Sequence, residues 1–401
     1  MIRIITQLGI IKLFAVYFGP SGIALLAHFQ NLIELITQIP NEGINRALVK
    51  FWSNPTLDAG PRRRVFYAVI SYNLIILVFS FVLFYGLKNI FLKEFLILGN
   101  SGLPFEGLFF TAAILILIHL FLMSVILSHG NAKTYTLFSL LGMILSFIAV
   151  AIFINEDDQQ LALLSVAFGQ ALGLILSMSY SAYHGLIRKI RPVETSKGSM
   201  EAVWDFIAMS IGAFVFGKMV EYGVREWAMN TYGLEQTGQW QSVVKISENY
   251  LLLFTGTVGV AFFPKVNQLI FFPKELRTYI RGVFALVIPV TLVGSLFIFF
   301  GKDILLMVLF SHQFLEATDF FLFQQIGDFF FILSYLLAFL VTAQSRAKVY
   351  LSIQFGATLL YLALVAFFSS RDGIVGIVEA HALRSIIYFG VLLLLNRRIL
   401  L

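Results

Sequence analysis

The 401-residue sequence has no cysteine at all, which excludes a disulfide framework and any thiolate metal site. Charge is also scarce, at 12% of residues against 59% hydrophobic. Catalytic signatures are missing: no Gly-x-x-x-x-Gly-Lys-Ser/Thr loop to cradle phosphates, no His-Glu-x-x-His, no nucleophile elbow, and no histidine cluster at metal spacing. The chain is therefore not expected to be an enzyme, to hydrolyse ATP, or to need a cofactor or metal. Its pI of about 9.3 does not indicate nucleic acid, because the basic residues are scattered among short loops and form no single face.

What is present is apolar and aromatic. Phenylalanine alone accounts for 43 residues, and the mean hydropathy is +0.88. A water-soluble chain of that make-up would aggregate, whereas a bilayer asks for runs of about 20 apolar residues. Such runs fall at 4–19, 21–44, 65–86, 107–128, 135–154, 160–186, 204–224, 241–263, 282–301, 318–343, 348–369 and 373–395. Phe18-Gly19-Pro20-Ser21-Gly22 reads as a tight turn between the first two helices and not as a signal-peptide cleavage site.

Lysine and arginine alternate loop by loop. Outside the apolar runs, nineteen of the 28 fall on one side and only Lys88, Lys93, Arg225, Lys302 and Arg371 on the other. That asymmetry predicts an even number of spans with both termini in the cytoplasm. The polar stretch ending near residue 200 divides the spans six and six. The turn after Lys12 is matched by Tyr232-Gly233 after Lys218, and Gly22 by Gly238, which suggests an internal duplication. The expected fold is an all-α membrane protein of about twelve transmembrane helices in two six-helix lobes, 1–197 and 198–401, around a central cavity.

Four cations, Lys12, Lys218, Lys245 and Arg384, interrupt the apolar runs. A cation at the hydrocarbon midplane costs about 2.5–3.5 kcal/mol on insertion scales, so each is expected to face a partner or a watery cavity. Polar residues recur at helical spacing beside them: Gln30, Glu34 and Gln38 with Asn31 adjacent; Gln241, Lys245 and Glu248; Gln324, Gln325 and Asp328; His381 and Arg384. Lys218 with Glu221 and Lys245 with Glu248 lie at i, i+3, so either an internal ion pair or a bound anion would satisfy each ammonium. Arg384 has Glu379 and Asp328 as alternatives to an anion. Lys12, Lys218, Lys245, Gln30, Asn31, Gln241 and Arg384 are the candidate substrate-binding residues, for an anion such as phosphate. Glu34 and Asp328 are candidates for a coupling ion, proton or sodium. His28 and His381 read first as hydrogen-bonded packing residues, with a proton-linked role as the alternative, and Trp204, Trp227 and Trp240 as interfacial anchors.

Several stretches resemble bacterial polysaccharide-repeat flippases. They are Lys12 through Gly22, Phe29-Gln-Asn-Leu-Ile33, Gly238-Gln-Trp-Gln-Ser-Val-Val-Lys-Ile-Ser247 to Tyr250, Phe262-Phe-Pro264, Leu305 to Phe314, and Phe323-Gln-Gln-Ile-Gly-Asp328 with Tyr335 and Ala343. The likeness is to the lipid III flippase and O-antigen translocase group of the multidrug/oligosaccharidyl-lipid/polysaccharide superfamily. It implies movement of undecaprenyl-diphosphate-linked oligosaccharide from the cytoplasmic to the periplasmic leaflet of the bacterial inner membrane. A glycan polymerase and a chain-length regulator are the protein partners it suggests, beside the lipid-linked substrate and membrane lipid. Lys12, Gln30, Trp240, Gln241, Ser247, Gly327 and Asp328 fall on matching positions, whereas His381 and Arg384 depart from the pattern. Members usually carry extra residues before the first span, which leaves the completeness of the first helix open. Two alternatives are a membrane-embedded glycan polymerase or ligase, for which the loops are short, and a drug/cation antiporter, which would want a more acidic interior.

Overall fold

The computed structural model describes residues 2–52, 59–97, 104–186, 215–258, 262–343 and 347–397. Within these, the chain is helical from end to end, with no strand. Backbone amides cannot be left bare in hydrocarbon, and the helix satisfies them within its own segment. The cut expected at 197/198, and Trp204, lie outside the described residues.

The helices are α1 (Ile2–Trp52), α2 (Ala59–Gly86), the short α3 (Lys88–Phe91) and α4 (Lys93–Ile97), α5 (Phe105–Ser128), α6 (Ala132–Phe153), α7 (Gln159–Ala171) and α8 (Gly173–Tyr183). After a π turn at Val215–Met219 come α9 (Val220–Thr257), α10 (Phe263–Leu269), α11 (Pro273–Phe300), α12 (Lys302–Leu309), a 3₁₀ segment (His312–Phe320), α13 (Phe321–Ala343), α14 (Ala347–Asp372) and α15 (Val375–Leu395). Eight helical stretches among the described residues are long and apolar enough to cross a membrane.

The expected turn after the first span is narrower than the sequence suggests. α1 runs through it and is broken at one residue, Gly19, with φ 61° and ψ −155°. α9 is broken in the same way at Gly233, with φ 83° and ψ 168°. Both sit in the left-handed half of backbone space, where a Cβ is penalised and glycine is not. The two turns paired by the sequence repeat thus share one backbone device.

The chain divides into two compact units: Met1–Phe18 with Leu25–Tyr222, and Gly19–Ala24 with Gly223–Leu401. The first has an aromatic interior. Phe29 meets Phe95 and Phe109 edge-on at centroid distances of 5.6 and 5.7 Å, and Phe95 stacks on Phe105 at 6.0 Å. Edge-to-face pairs set the positive rim of one ring on the negative face of the next. His28, fully buried, stacks on Tyr222 at 4.5 Å and on Phe95 at 5.6 Å. His119 bridges α5 and α8 through Ser177, 3.0 Å away.

The second unit has an aliphatic and aromatic core in which Val266, Leu336, Leu337, Leu340 and Leu392 are almost wholly buried. Gly238 is indispensable here, because a Cβ on it would stand 1.8 Å from the carbonyl oxygen of Pro20. On α11 the apolar Leu286, Val290, Val293 and Phe297 are 66%, 61%, 65% and 77% exposed. A row of large apolar side chains bared in this way suits acyl chains and not water.

Candidate functional site

Two polar centres stand out, one in each unit. In the first, Lys218, towards the end of the seventh expected span, is held between two carboxylates. Its Nζ lies 3.2 Å from Glu34 Oε2 and 3.1 Å from Glu221 Oε2. The pairing with Glu221 follows from i, i+3 spacing on one helix; the pairing with Glu34, on α1, does not. All three side chains are between about a third and a half exposed, so water screens them. Any other anion would have to compete with these carboxylates for the ammonium. Glu34, an expected ion-coupling residue, is engaged by the same lysine. Asn31 lies one residue beyond Gln30 on α1; it is 4% exposed, and its Oδ1 finds no hydrogen-bond partner among the described residues. Gln30 and Lys12 are half-buried.

The second centre is sealed. Asp328 on α13 is 1% exposed, and its carboxyl group has four hydrogen-bond partners. Ser247 Oγ and Tyr250 Oη, both on α9, donate to Oδ2. Gln324 Nε2, one turn back on α13, donates to Oδ1 at 3.0 Å, and His381 Nε2 on α15 lies 3.0 Å from the same oxygen. Gln325 Nε2 supports the ring by donating to Tyr250 Oη at 3.0 Å. An ionised carboxylate can only accept, so with Asp328 charged the hydrogen between them belongs to His381 Nε2. A buried carboxylate is tolerated when its lone pairs are occupied in this way.

Glycine builds the seat for that histidine. A Cβ at Gly327 would lie 2.2 Å from His381 Cδ2 and 2.6 Å from its Nε2, so only the bare backbone lets the imidazole settle beside the carboxylate.

Lys245, on α9, is 6% exposed, and its Nζ lies 2.8 Å from Glu248 Oε2. Gln241, one turn earlier, is fully buried, and both atoms of its amide lack a hydrogen-bond partner among the described residues. A buried amide with nothing to bond costs about 1–3 kcal/mol, so Gln241 gains most from any polar group that reaches it. Arg384 does not sit on Glu379 or Asp328. Its guanidinium lies 4.9 Å from the centroid of the Tyr361 ring, a cation–π contact. Trp240 is 6% exposed, so it packs inside instead of anchoring at an interface, while Trp227 is 38% exposed. Sequence reasoning passed over Tyr250. Its signal was the i, i+3 step from Ser247, two hydroxyls on one face of an apolar helix.

Among the described residues, no group of three or more His, Asp or Glu is placed to hold a metal ion. No protein-family model matches the sequence. Among curated proteins, the lipid III flippases of Escherichia coli (strain K12) and Shigella flexneri are each 25% identical over 419 residues, covering 99% of this chain and 96% of theirs. Among solved structures, an inward-facing multidrug resistance MATE family transporter of the MOP superfamily superposes with a TM-score of 0.74 at 12% identity, covering 99% of this chain and 94% of that one. The lipid II flippase MurJ in its inward closed conformation gives a TM-score of 0.68 at 17% identity, covering 98% of this chain and 86% of MurJ. These relatives are transporters and flippases, not enzymes. The chain is a multi-pass, all-helical membrane protein with the fold of MOP-superfamily transporters, and from end to end its sequence is similar to the lipid III flippases.

Proposed function

We propose that this protein is a flippase that moves undecaprenyl-diphosphate-linked oligosaccharide repeat units from the cytoplasmic to the periplasmic leaflet of the bacterial inner membrane. The products would serve O-antigen or related surface polysaccharide assembly. The observation that carries this reading is the likeness to two lipid III flippases over 99% of the chain, without a gap large enough to remove a lobe. Both termini face the cytoplasm in this reading, as the lysine and arginine asymmetry suggests.

Two six-helix lobes would rock about a central cavity, exposing it to one leaflet and then the other. The diphosphate and sugars enter the cavity while the prenyl tail stays in lipid, which spares the tail transfer through water. Lys12, Lys245 and Arg384 would meet the diphosphate, with Lys218 joining once its carboxylates give way. Gln30, Asn31 and Gln241 offer amides to sugar hydroxyls. Glu34 or Asp328 binds the coupling ion, and a polymerase with its chain-length regulator takes the flipped product.

A strain lacking the gene should accumulate radiolabelled lipid-linked repeat on the inner leaflet, and the intact chain should restore surface glycan. Unchanged leaflet distribution after deletion would sink the reading. The fold likeness to multidrug transporters favours one rival, a cation antiporter. Thermal shift of the purified protein separates the two, since the bound ligand stabilises the native state by mass action: undecaprenyl diphosphate should raise the melting temperature and cationic dyes should not.

A further inference from the structure

One face of α11 changes character along its length. Its first turns hold Lys274, Arg277 and Arg281, and steps of seven, seven, four and four residues set Lys274 and Arg281 in line with Ile288, Leu292 and Leu296 on a 3.6-residue helix. Lys274 and Arg281 are exposed, and the three apolar residues in line with them are 39%, 48% and 46% exposed. The bared Leu286, Val290, Val293 and Phe297 widen that strip along one side. Just before the helix begins, Phe271 and Phe272 are 84% and 55% exposed. Residues 262–284 contain four cations, Lys265, Lys274, Arg277 and Arg281, against one carboxylate, Glu275.

An apolar strip that ends in cations has the layout of a diacyl lipid with an anionic head. Arg281 to Leu292 spans about 16 Å of helix, and the hydrocarbon of one leaflet is about 15 Å deep, half of the whole. The strip thus offers acyl chains a full leaflet's depth beside its basic end. Lysine and arginine just outside the hydrocarbon attract anionic head groups, each adding to the pull. The opposite end of α11 is built differently. Lys302 lies 5.0 Å from the centroid of the Phe299 ring and donates to the Thr318 carbonyl at 3.4 Å, with Asp303 next in sequence, so its single charge is already engaged.

We propose that the foot of α11 is a docking surface for an anionic phospholipid such as phosphatidylglycerol. The head-group phosphate sits on Lys274 and Arg281, the acyl chains run along Ile288, Leu292 and Leu296, and the Phe271 and Phe272 rings enter the head-group layer. The inference needs a chain that spans a membrane and is independent of what that chain transports. A second copy of the protein would also cover a bare strip. Packed about a twofold axis along the membrane normal, however, it would set Lys274 and Arg281 against their own equivalents, and like charges at close range repel. On the other face of the same turns, Leu276 and Ile280 are each 1% exposed in the core of the second unit. A lipid held by the folded foot therefore stabilises that unit by mass action.

The test uses the full-length protein in nanodiscs of matched acyl length, made either of phosphatidylcholine alone or with phosphatidylglycerol. The parent chain should melt higher with phosphatidylglycerol, and added salt should shrink the gap. Lys274→Gln combined with Arg281→Gln should close the gap while melting as the parent does in phosphatidylcholine. The charge-keeping pair Lys274→Arg with Arg281→Lys should retain it, as should Lys302→Gln at the other end of the helix. No gap in the parent, a gap that outlives both charges, or one that Lys302→Gln removes equally well overturns the proposal. If the glutamine pair fails to fold, the salt dependence of the parent decides: a gap unmoved by salt overturns a phosphate held by exposed cations.

A second arm counts bound lipid by native mass spectrometry of protein released from an equal mixture of the two lipids. The parent should retain phosphatidylglycerol in preference to phosphatidylcholine, and the glutamine pair should retain about 10- to 30-fold less of it, the loss expected for two cations at an anionic surface. Phe271→Ser with Phe272→Ser should lower retention of both lipids and leave the preference between them unchanged, because the rings carry no charge. Equal retention of the two lipids by the parent, or a dimer of chains in place of bound lipid, overturns the proposal.

Discussion

The two polar centres solve the same problem in opposite ways. In the first unit, Lys218 shares two carboxylates, Glu34 and Glu221, at 3.2 and 3.1 Å in a setting that water reaches. In the second, Asp328 is 1% exposed and is balanced by four hydrogen bonds. The first spreads its charge through solvent, so each ion pair there is weak and replaceable. The second has no solvent to fall back on, and its geometry is correspondingly exacting. Water and dissolved ions can compete for the open cluster; the closed one changes only when its helices move.

Substitutions should rank by that contrast. Asp328→Ala strands four buried donors and is expected to cost the most, about 3–5 kcal/mol, read as a fall in melting temperature in detergent. Gly327→Ala keeps every polar group but drives a methyl into His381, at about 1–3 kcal/mol. If its melting temperature matches the parent's, glycine is not what seats the imidazole. Ser247→Ala removes one donor of four and should cost about 1 kcal/mol. Glu221→Gln in the open cluster should cost under about 1 kcal/mol, because Glu34 still holds Lys218, and added salt should shrink even that. An Asp328→Ala no more harmful than Glu221→Gln would erase the distinction between the two centres.

The sequence read these centres unevenly, for a physical reason. Pairs on one helix follow from 3.6-residue periodicity, so Lys218 with Glu221, Lys245 with Glu248, and Gln324 with Asp328 were all visible as i, i+3 or i, i+4 steps. Contacts between helices have no such signature. Asp328 and His381 are 53 residues apart, and nothing in their spacing announces that α13 and α15 bring them together. His381 read as a hydrogen-bonded packing residue, but its partner could not be named from the sequence. For Arg384 the spacing left Glu379, Asp328 or an anion open, and the guanidinium lies over the Tyr361 ring, a partner that helical spacing could not suggest. The helical class and the breaks at Gly19 and Gly233 were legible, because hydropathy and glycine act locally.

Gly238 carries a consequence for how this chain can change over time. With the backbone of Pro20 pressed against it, and a Cβ there only 1.8 Å from the Pro20 oxygen, the distance along the chain from the Gly233 break to that point is frozen. One residue inserted between them would turn the helix by about 100° and swing a side chain into the Pro20 carbonyl. Loops elsewhere can lengthen or shorten, but this short stretch can only be copied at fixed length.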